Sequence, residues 1–458
     1  MIKKSIKPGG ILLLLSSPFA MGQSERPNII YILTDQQTAT AMSCAGNSDL
    51  RTPAMDRLAD EGIRFDNAYC SFPLSSPSRA CMMTGATPTQ LEYKQNSLPL
   101  KAPFAEQSLG ILLSNAGYDC EYAGKWHIPE ASIPDLKDGF RNIHNHNDYR
   151  LADDCVKFLD NRKDKSKPFF LVAAFDNPHN ICEYARHQNL PFATITEPPT
   201  ENCPNLPANF AVNPFDAVVL NYEKSQNFNV YPTSVFSSED WRHYRNAYFR
   251  LIELIDSQIG KILDELKKQN LLNNTLVIFS SDHGDGNASH HWNQKTALYE
   301  EVVNIPFMVR LPGAANKGTV NHHLLNNGTD LFATICDYAG VKTPEYSHGK
   351  SLRSILEGKH ETLNDFVVSE TLFSPNGTLF SPNGTFGYMV RTVNFKYICY
   401  NKGLYREQLY DMRTDRDEMI NRAVEKKYDK ILNDHRKILS DWLKNNGDSN
   451  AISIIPNE

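Results

Sequence analysis

Four short apolar runs in this sequence end in residues able to hold a cation, carry a proton or bind an anion. Asn28 to Leu33 leads into Thr34-Asp35, Tyr118 to Ala123 into Gly124-Lys125-Trp126-His127, Phe169 to Phe175 into Pro178-His179, and Leu276 to Ser280 into Asp282-His283. Carboxylates and imidazoles are metal ligands and proton carriers, and lysines are fixed positive charges. One Asp or His at the end of a strand is ordinarily structural, so the reading rests on several such ends recurring. The runs are rich in β-branched and aromatic residues and have the length of buried strands. Helical patterns lie between them. Thr52-Pro53 caps a helix running to Gly62, Ser108 to Gly117 reads as another, and Ser238 to Lys268 as a long amphipathic one. Alternating strands and helices predict an α/β fold in which helices sandwich a large, mostly parallel mixed sheet. Ligands of such sheets bind beyond the carboxyl ends of the strands, where the four clusters would converge.

Past about residue 345 the texture changes. Asp365 to Ser369, Gly387 to Arg391, Phe395 to Tyr400 and Gln408 to Tyr410 read as short strands of a smaller antiparallel subdomain, followed by a helix from about Asn421 to Lys444. The expected division is therefore a leader over 1–22, a catalytic domain over 23–345 and a C-terminal α+β subdomain over 346–458. A seven-residue tandem repeat, Leu372 to Thr378 and again Leu379 to Thr385, is too short for a solenoid and reads as a turn-rich loop.

The leader has the form of a signal peptide. Lys3, Lys4 and Lys7 precede an apolar centre at Ile11 to Leu15, and Ala20-Met21-Gly22 offers a small-x-small cleavage site before Gln23. Export to the periplasm, or secretion, is the expectation. The first cysteine is Cys44, so no lipid anchor is expected near the cut. No other segment has the unbroken apolar length of a membrane span, so an integral membrane protein is not expected. The formal charge of -6 becomes -9 once the three leader lysines are removed, which argues against a nucleic-acid binder. Nine cysteines without a CxxC pair read mainly as small buried hydrophobes, although export permits a disulfide or two.

The stretch Ser75-Ser76-Pro77-Ser78-Arg79-Ala80-Cys81-Met82-Met83-Thr84-Gly85 resembles the signature of formylglycine-dependent sulfatases, in the Ser form typical of bacteria with an anaerobic radical maturase. Other segments resemble that family in the same order: Arg26 through Asp35, Thr52 to Ala59, Gly124-Lys125-Trp126-His127, Pro178-His179, Ser281-Asp282-His283-Gly284, and Lys295 to Glu301. Leu409-Tyr410-Asp411 with Asp415 and Glu418 resembles its C-terminal signature. The resemblance thus spans nearly the whole mature chain. It departs at Gln36, where the family often has a second Asp, at Ala86 in place of a frequent Arg, and at Asn180-Ile181-Cys182, where a Pro is frequent.

The resemblance implies that Ser75 is converted to formylglycine by a maturase and that Asp35, Gln36, Asp282 and His283 hold one Ca²⁺ together with residue 75. Hydrated formylglycine would attack sulfur in line, forming a covalent sulfate hemiester. Arg79 would orient it, Lys125 and Lys295 would bind sulfate oxygens, and His179 would protonate the leaving oxygen. His127 would take the proton of the second hydroxyl as sulfate leaves. His290, five residues before Lys295 where the family commonly has a single His followed by Gly, is expected at the substrate pocket, with an exposed loop as the alternative. His144-Asn145-His146-Asn147-Asp148 reads as an ordinary polar loop or a sugar contact. The substrate implied is a sulfated carbohydrate, with exo-acting O-desulfation of galactose or N-acetylgalactosamine as the expectation. A phosphatase or phosphodiesterase of the same superfamily, with an unmodified serine, and a catalytically silent glycan-binding protein are the competing readings.

Overall fold

In a computed structural model, the structure describes residues 26–456 apart from 97, 130–137, 315, 360–361 and 374–383. The leader and most of the tandem repeat lie outside the described residues. Fourteen strands are described in chain order: β1 Asn28–Asp35, β2 Ile63–Phe65, β3 Ala68–Tyr69, β4 Asp119–Gly124, β5 Arg141–His144, β6 Phe169–Pro178, β7 Thr275–Ser281, β8 Phe307–Arg310, β9 Thr319–Asn321, β10 Leu325–Asn326, β11 Phe366–Phe373, β12 Thr385–Thr392, β13 Phe395–Tyr400 and β14 Glu407–Asp411.

Eight of them form one sheet in the order β5-β4-β6-β1-β7-β8-β2-β9, and two, β3 and β10, form a small parallel pair. Only β8 runs against its neighbours in the large sheet. The three central strands β6, β1 and β7 are buried along their whole length, because helices cover both faces. That is why they read as continuous apolar runs rather than alternating ones. Parity decides which face each residue serves. Ile29, Tyr31 and Leu33 pack with the helices Ser75–Thr84, Leu109–Asn115 and Thr329–Ala339. Ile30 and Ile32 pack with Pro53–Glu61, Asp148–Asp160 and the long helix Ser238–Lys268. The long helix buries Trp241, Tyr244, Tyr248, Ile252, Ile255, Ile259, Ile262 and Leu266, a stripe at three- and four-residue spacing.

Thr52 stands at the N-cap of the Pro53–Glu61 helix without capping it through its side chain. Its hydroxyl turns to Ser43, at 2.8 Å, and the free amides of Ala54 and Met55 are taken by Asp256 of the long helix, at 3.0 and 2.8 Å. A carboxylate from a packed neighbour thus does the capping expected of the threonine.

The C-terminal strands form a four-stranded antiparallel sheet in the order β11-β12-β13-β14. Val367, Met389, Ile398, Tyr400 and Tyr410 face the first core, while Val368, Val390, Tyr397, Cys399 and Leu409 face the helix Asp429–Asn445. This sheet is therefore a layer shared by two cores. The terminal helix starts at Asp429 because two short 3₁₀ turns, Arg422–Val424 and Lys426–Tyr428, precede it. All nine cysteines are unpaired, and all but the half-buried Cys44 are buried. Among the described residues no helix is long and apolar enough to cross a membrane.

Candidate active site

Parallel pairing sets the site. Thr34 lies opposite Ser281 and Asp35 opposite Pro178, so β1, β6 and β7 deliver Asp35, His179 and Asp282-His283 to one end of the sheet. β4 adds Lys125, whose amide donates to Ala174 at 2.9 Å. Gly124 makes this possible with a φ of +99°, since a Cβ there would fall 2.0 Å from the Ala174 carbonyl oxygen.

Ser75 is the first residue of its helix and is fully buried. Its Oγ lies 3.3 and 3.2 Å from the two carboxylate oxygens of Asp35 and 3.1 Å from His283 Nε2. One turn on, Arg79 bridges both acids. Its Nη2 meets Asp35 Oδ2 and its Nε meets Asp282 Oδ2, each at 3.0 Å, while Nη1 donates to the Lys125 carbonyl at 2.6 Å. Lys125 Nζ lies 2.8 Å from both Asp35 and Asp176. Burial opposes ionisation of Asp35, but the charges of Lys125, Arg79 and Lys295 outweigh it and hold the carboxyl well below the usual range.

Asp35, Asp282 and His283 form a buried group whose ligand atoms lie within 4.8 Å of one another. The Nδ1–H of His283 faces the Gly284 carbonyl at 2.9 Å, which leaves the Nε2 lone pair directed to Ser75 and the acids. Burial keeps the ring neutral. Two carboxylates and a neutral imidazole presenting its lone pair suit a divalent cation.

Gln36, expected with these ligands, is held in a left-handed conformation with φ 73°. Its carboxamide nitrogen donates to Asp285 at 2.7 Å and lies 3.4 Å from Cys182 Sγ, and its oxygen accepts from Lys295 Nζ at 3.2 Å. Two positions that depart from the family pattern, Gln36 and Cys182, are therefore in contact. His179 is half-buried at the end of β6, and burial followed by the charges of Lys125 and Lys295 pushes its pKa well down. His127 is exposed, and its backbone carbonyl accepts from Ser76 Oγ at 2.6 Å, which ties the β4 loop to the helix carrying Ser75.

His290 occupies a different place. Its ring is 1% exposed, stacks on Tyr299 at 4.3 Å and lies 3.4 Å from the Asn209 amide. It neighbours Glu301 and Glu418. There Lys396 supplies the counter-charge, 2.7 Å from Glu418 and 3.0 Å from Glu300, while Glu418 also accepts from the Glu300 amide at 2.7 Å. The Tyr-Glu-Glu segment and the C-terminal signature thus lock the antiparallel sheet onto the main domain. In the polar loop His144 pairs with Asp154, while His146 reaches Asp176 at 2.9 Å, beside Lys125. Asp176 and Asp285 carry weight that sequence reasoning missed. Each stands within three residues of a motif that was read, at 178–179 and at 282–284, and that adjacency is the signal that could have found them.

Fixed cations around a buried serine beside an acidic pair suit one class of reaction, hydrolysis of an anionic ester on an alkaline phosphatase-like α/β sheet. The sulfatase family matches residues 27–341, and the C-terminal region of N-sulphoglucosamine sulphohydrolase matches residues 288–445. A delta 4,5-hexuronate-2-O-sulfatase of Bacteroides thetaiotaomicron is 32% identical over 93% of this chain and 90% of its own length. Among solved structures, a 2-O GAG sulfatase superposes with a TM-score of 0.81 at 30% identity, covering 93% of this chain and 94% of that one. A second, in complex with its substrate D-glucosamine-2-N,6-O-disulfate, gives 0.73 at 25% identity over 92% and 98%. The chain belongs to the formylglycine-dependent sulfatase family and is a sulfuric ester hydrolase.

Proposed function

We propose that this protein removes an O-sulfate group from a carbohydrate, with residue 75 acting as formylglycine, and that its substrates are saccharides of the glycosaminoglycan type. The observation that carries the reading is the position of Ser75 Oγ, at the start of a helix, 3.2 Å from Asp35 and 3.1 Å from His283. The sugar class draws support from the named activities of the relatives, one a hexuronate 2-O-sulfatase and another bound to a sulfated glucosamine.

Asp35, Asp282 and His283 would hold a Ca²⁺ ion, with Gln36 beside them. Such an ion supplies Lewis-acid stabilisation of negative charge on the sulfuryl oxygens. Arg79 holds the two carboxylates in register, and Lys125 and Lys295 would bind the ester oxygens. Together they give preorganised positive charge at the end of the sheet. Burial first, and then the same lysines, hold the His179 pKa well down in the free protein. An anionic ester between them offsets that field, so the imidazole regains proton affinity when the leaving oxygen needs a proton. His127, on the open side, serves the proton transfer of the second half-reaction. Conversion of Ser75 requires the radical maturase, and the leader over 1–22 directs the enzyme to the periplasm or beyond.

Protein made together with its maturase should release sulfate from one member of a panel holding 2-O-sulfated unsaturated hexuronate, sulfated glucosamines, and sulfated galactose and N-acetylgalactosamine. Chelation should abolish release and Ca²⁺ should restore it. No release from any member, or preferential hydrolysis of phosphate esters, would overturn the assignment.

A further inference from the structure

We propose that Asp285 is a positioning residue for this site: it fixes the Gln36 carboxamide so that its oxygen, and not its nitrogen, holds the ammonium of Lys295. Asp285 is fully buried, and no ion pair to it is found among the described residues. An uncompensated buried carboxylate is costly to keep unless its hydrogen bonds do something specific. Here they tie three parts of the chain together. Oδ2 accepts from Gln36 Nε2 at 2.7 Å and from the Gln294 amide at 3.0 Å, Oδ1 accepts from the Asn287 amide at 2.7 Å, and Tyr244 donates to both at 2.9 and 3.0 Å.

A carboxamide can turn either end to a neighbour, and an ionised carboxylate can only accept. Facing Asp285, Gln36 must present its NH₂ there, and its oxygen is left for Lys295 Nζ at 3.2 Å. The rest of Gln36 is equally constrained. Its amide donates to Asp282 Oδ1 at 3.1 Å and its carbonyl accepts from Tyr248 at 2.8 Å, which holds the left-handed φ of 73°. Tyr248 and Tyr244 stand four residues apart on the long helix, so one helix face clamps the backbone of Gln36 and, through Asp285, its side chain. Asp285 also takes the amide of Gln294, the residue before Lys295, at 3.0 Å.

The kinetic arm of the test rests on the sulfatase reading above, and the crystallographic arm does not. Asp285→Asn keeps the shape but adds a donor, so Gln36 can turn over. Its kcat/KM should fall about 10–100-fold, carried mainly by KM, as is usual when the partner of a site residue is lost. In a Gln36→Ala background the same change should cost under about twofold, because its target is already absent. A crystal structure of Asp285→Asn should show Lys295 Nζ beyond the ~3.5 Å hydrogen-bond limit from the residue 36 oxygen. Full multiplication of the two kinetic effects, or an Asp285→Asn protein with that contact retained, would overturn the proposal. A parent enzyme that releases no sulfate would count against the sulfatase reading alone, and the crystal contact would then decide.

Discussion

A Ser75→Ala protein is expected to fold normally and to lose sulfate release by a factor on the order of 10⁴–10⁶, the scale seen when a nucleophile is deleted from an otherwise intact site. The two halves of that expectation have separate origins. Folding survives because, among the described residues, the Oγ makes only the contacts with Asp35 and His283, and an ordinary hydrogen bond contributes about 1 kcal/mol net. The helix it begins is anchored elsewhere, by the burial of every residue from Ser75 to Thr84 and by the left-handed Gly85 that ends it. Activity fails because alanine cannot become the aldehyde, and no other hydroxyl lies against both Asp35 and His283 among the described residues. Thermal unfolding measured beside turnover separates the two. A Ser75→Ala protein retaining more than about a hundredth of the parent rate would mean that residue 75 is not the nucleophile.

Arg79→Ala should be the most disruptive single change in the site. Arg79 is 1% exposed and stands between two fully buried carboxylates. Among the described residues, removing it leaves Asp35 with Lys125 as its cation and Asp282 with none, since the His283 ring near both is neutral. Breaking a buried ion pair from one side costs about 3–5 kcal/mol, because the remaining charge stays desolvated. A loss of that size should appear in urea denaturation, together with the loss of turnover. Arg79→Lys should recover part of the stability and little of the rate. A single ammonium cannot reach both acids and the Lys125 carbonyl, which the guanidinium does with Nη2, Nε and Nη1. If Arg79→Ala unfolded within 1 kcal/mol of the parent, the bridge would not be the structural centre described above.

Most of the architecture was legible in the sequence because central strands covered on both faces leave unbroken apolar runs, and the polar residues that end those runs are the ones the parallel register gathers. β1, β6 and β7 follow this rule, and the long helix shows its stripe from Trp241 to Leu266. The antiparallel strands were also readable, since Val367 and Val368 alternate between two cores. What escaped was set by contacts distant in sequence or by backbone turns. Asp256 caps a helix some two hundred residues earlier, and its place in the middle of the Ser238–Lys268 helix carries no local sign of that. Asp285 was hidden for the same reason, because its meaning depends on Tyr244 and Gln36. The direction of His290 depends on positive φ angles at Asn287, Ala288, His290 and His291, a succession that composition does not announce. These angles turn His290 onto Tyr299 and leave its neighbour His291 exposed.

The measurement that tests the central claim most directly is the mass of the peptide carrying residue 75, taken from protein made with its maturase and assayed in the same preparation for sulfate release. Oxidation of the serine to the aldehyde removes two hydrogens, so a loss of about two mass units at residue 75, in proportion to activity across preparations, is the predicted result. Full activity with an unmodified Ser75 would contradict the account and move the chemistry to a serine nucleophile.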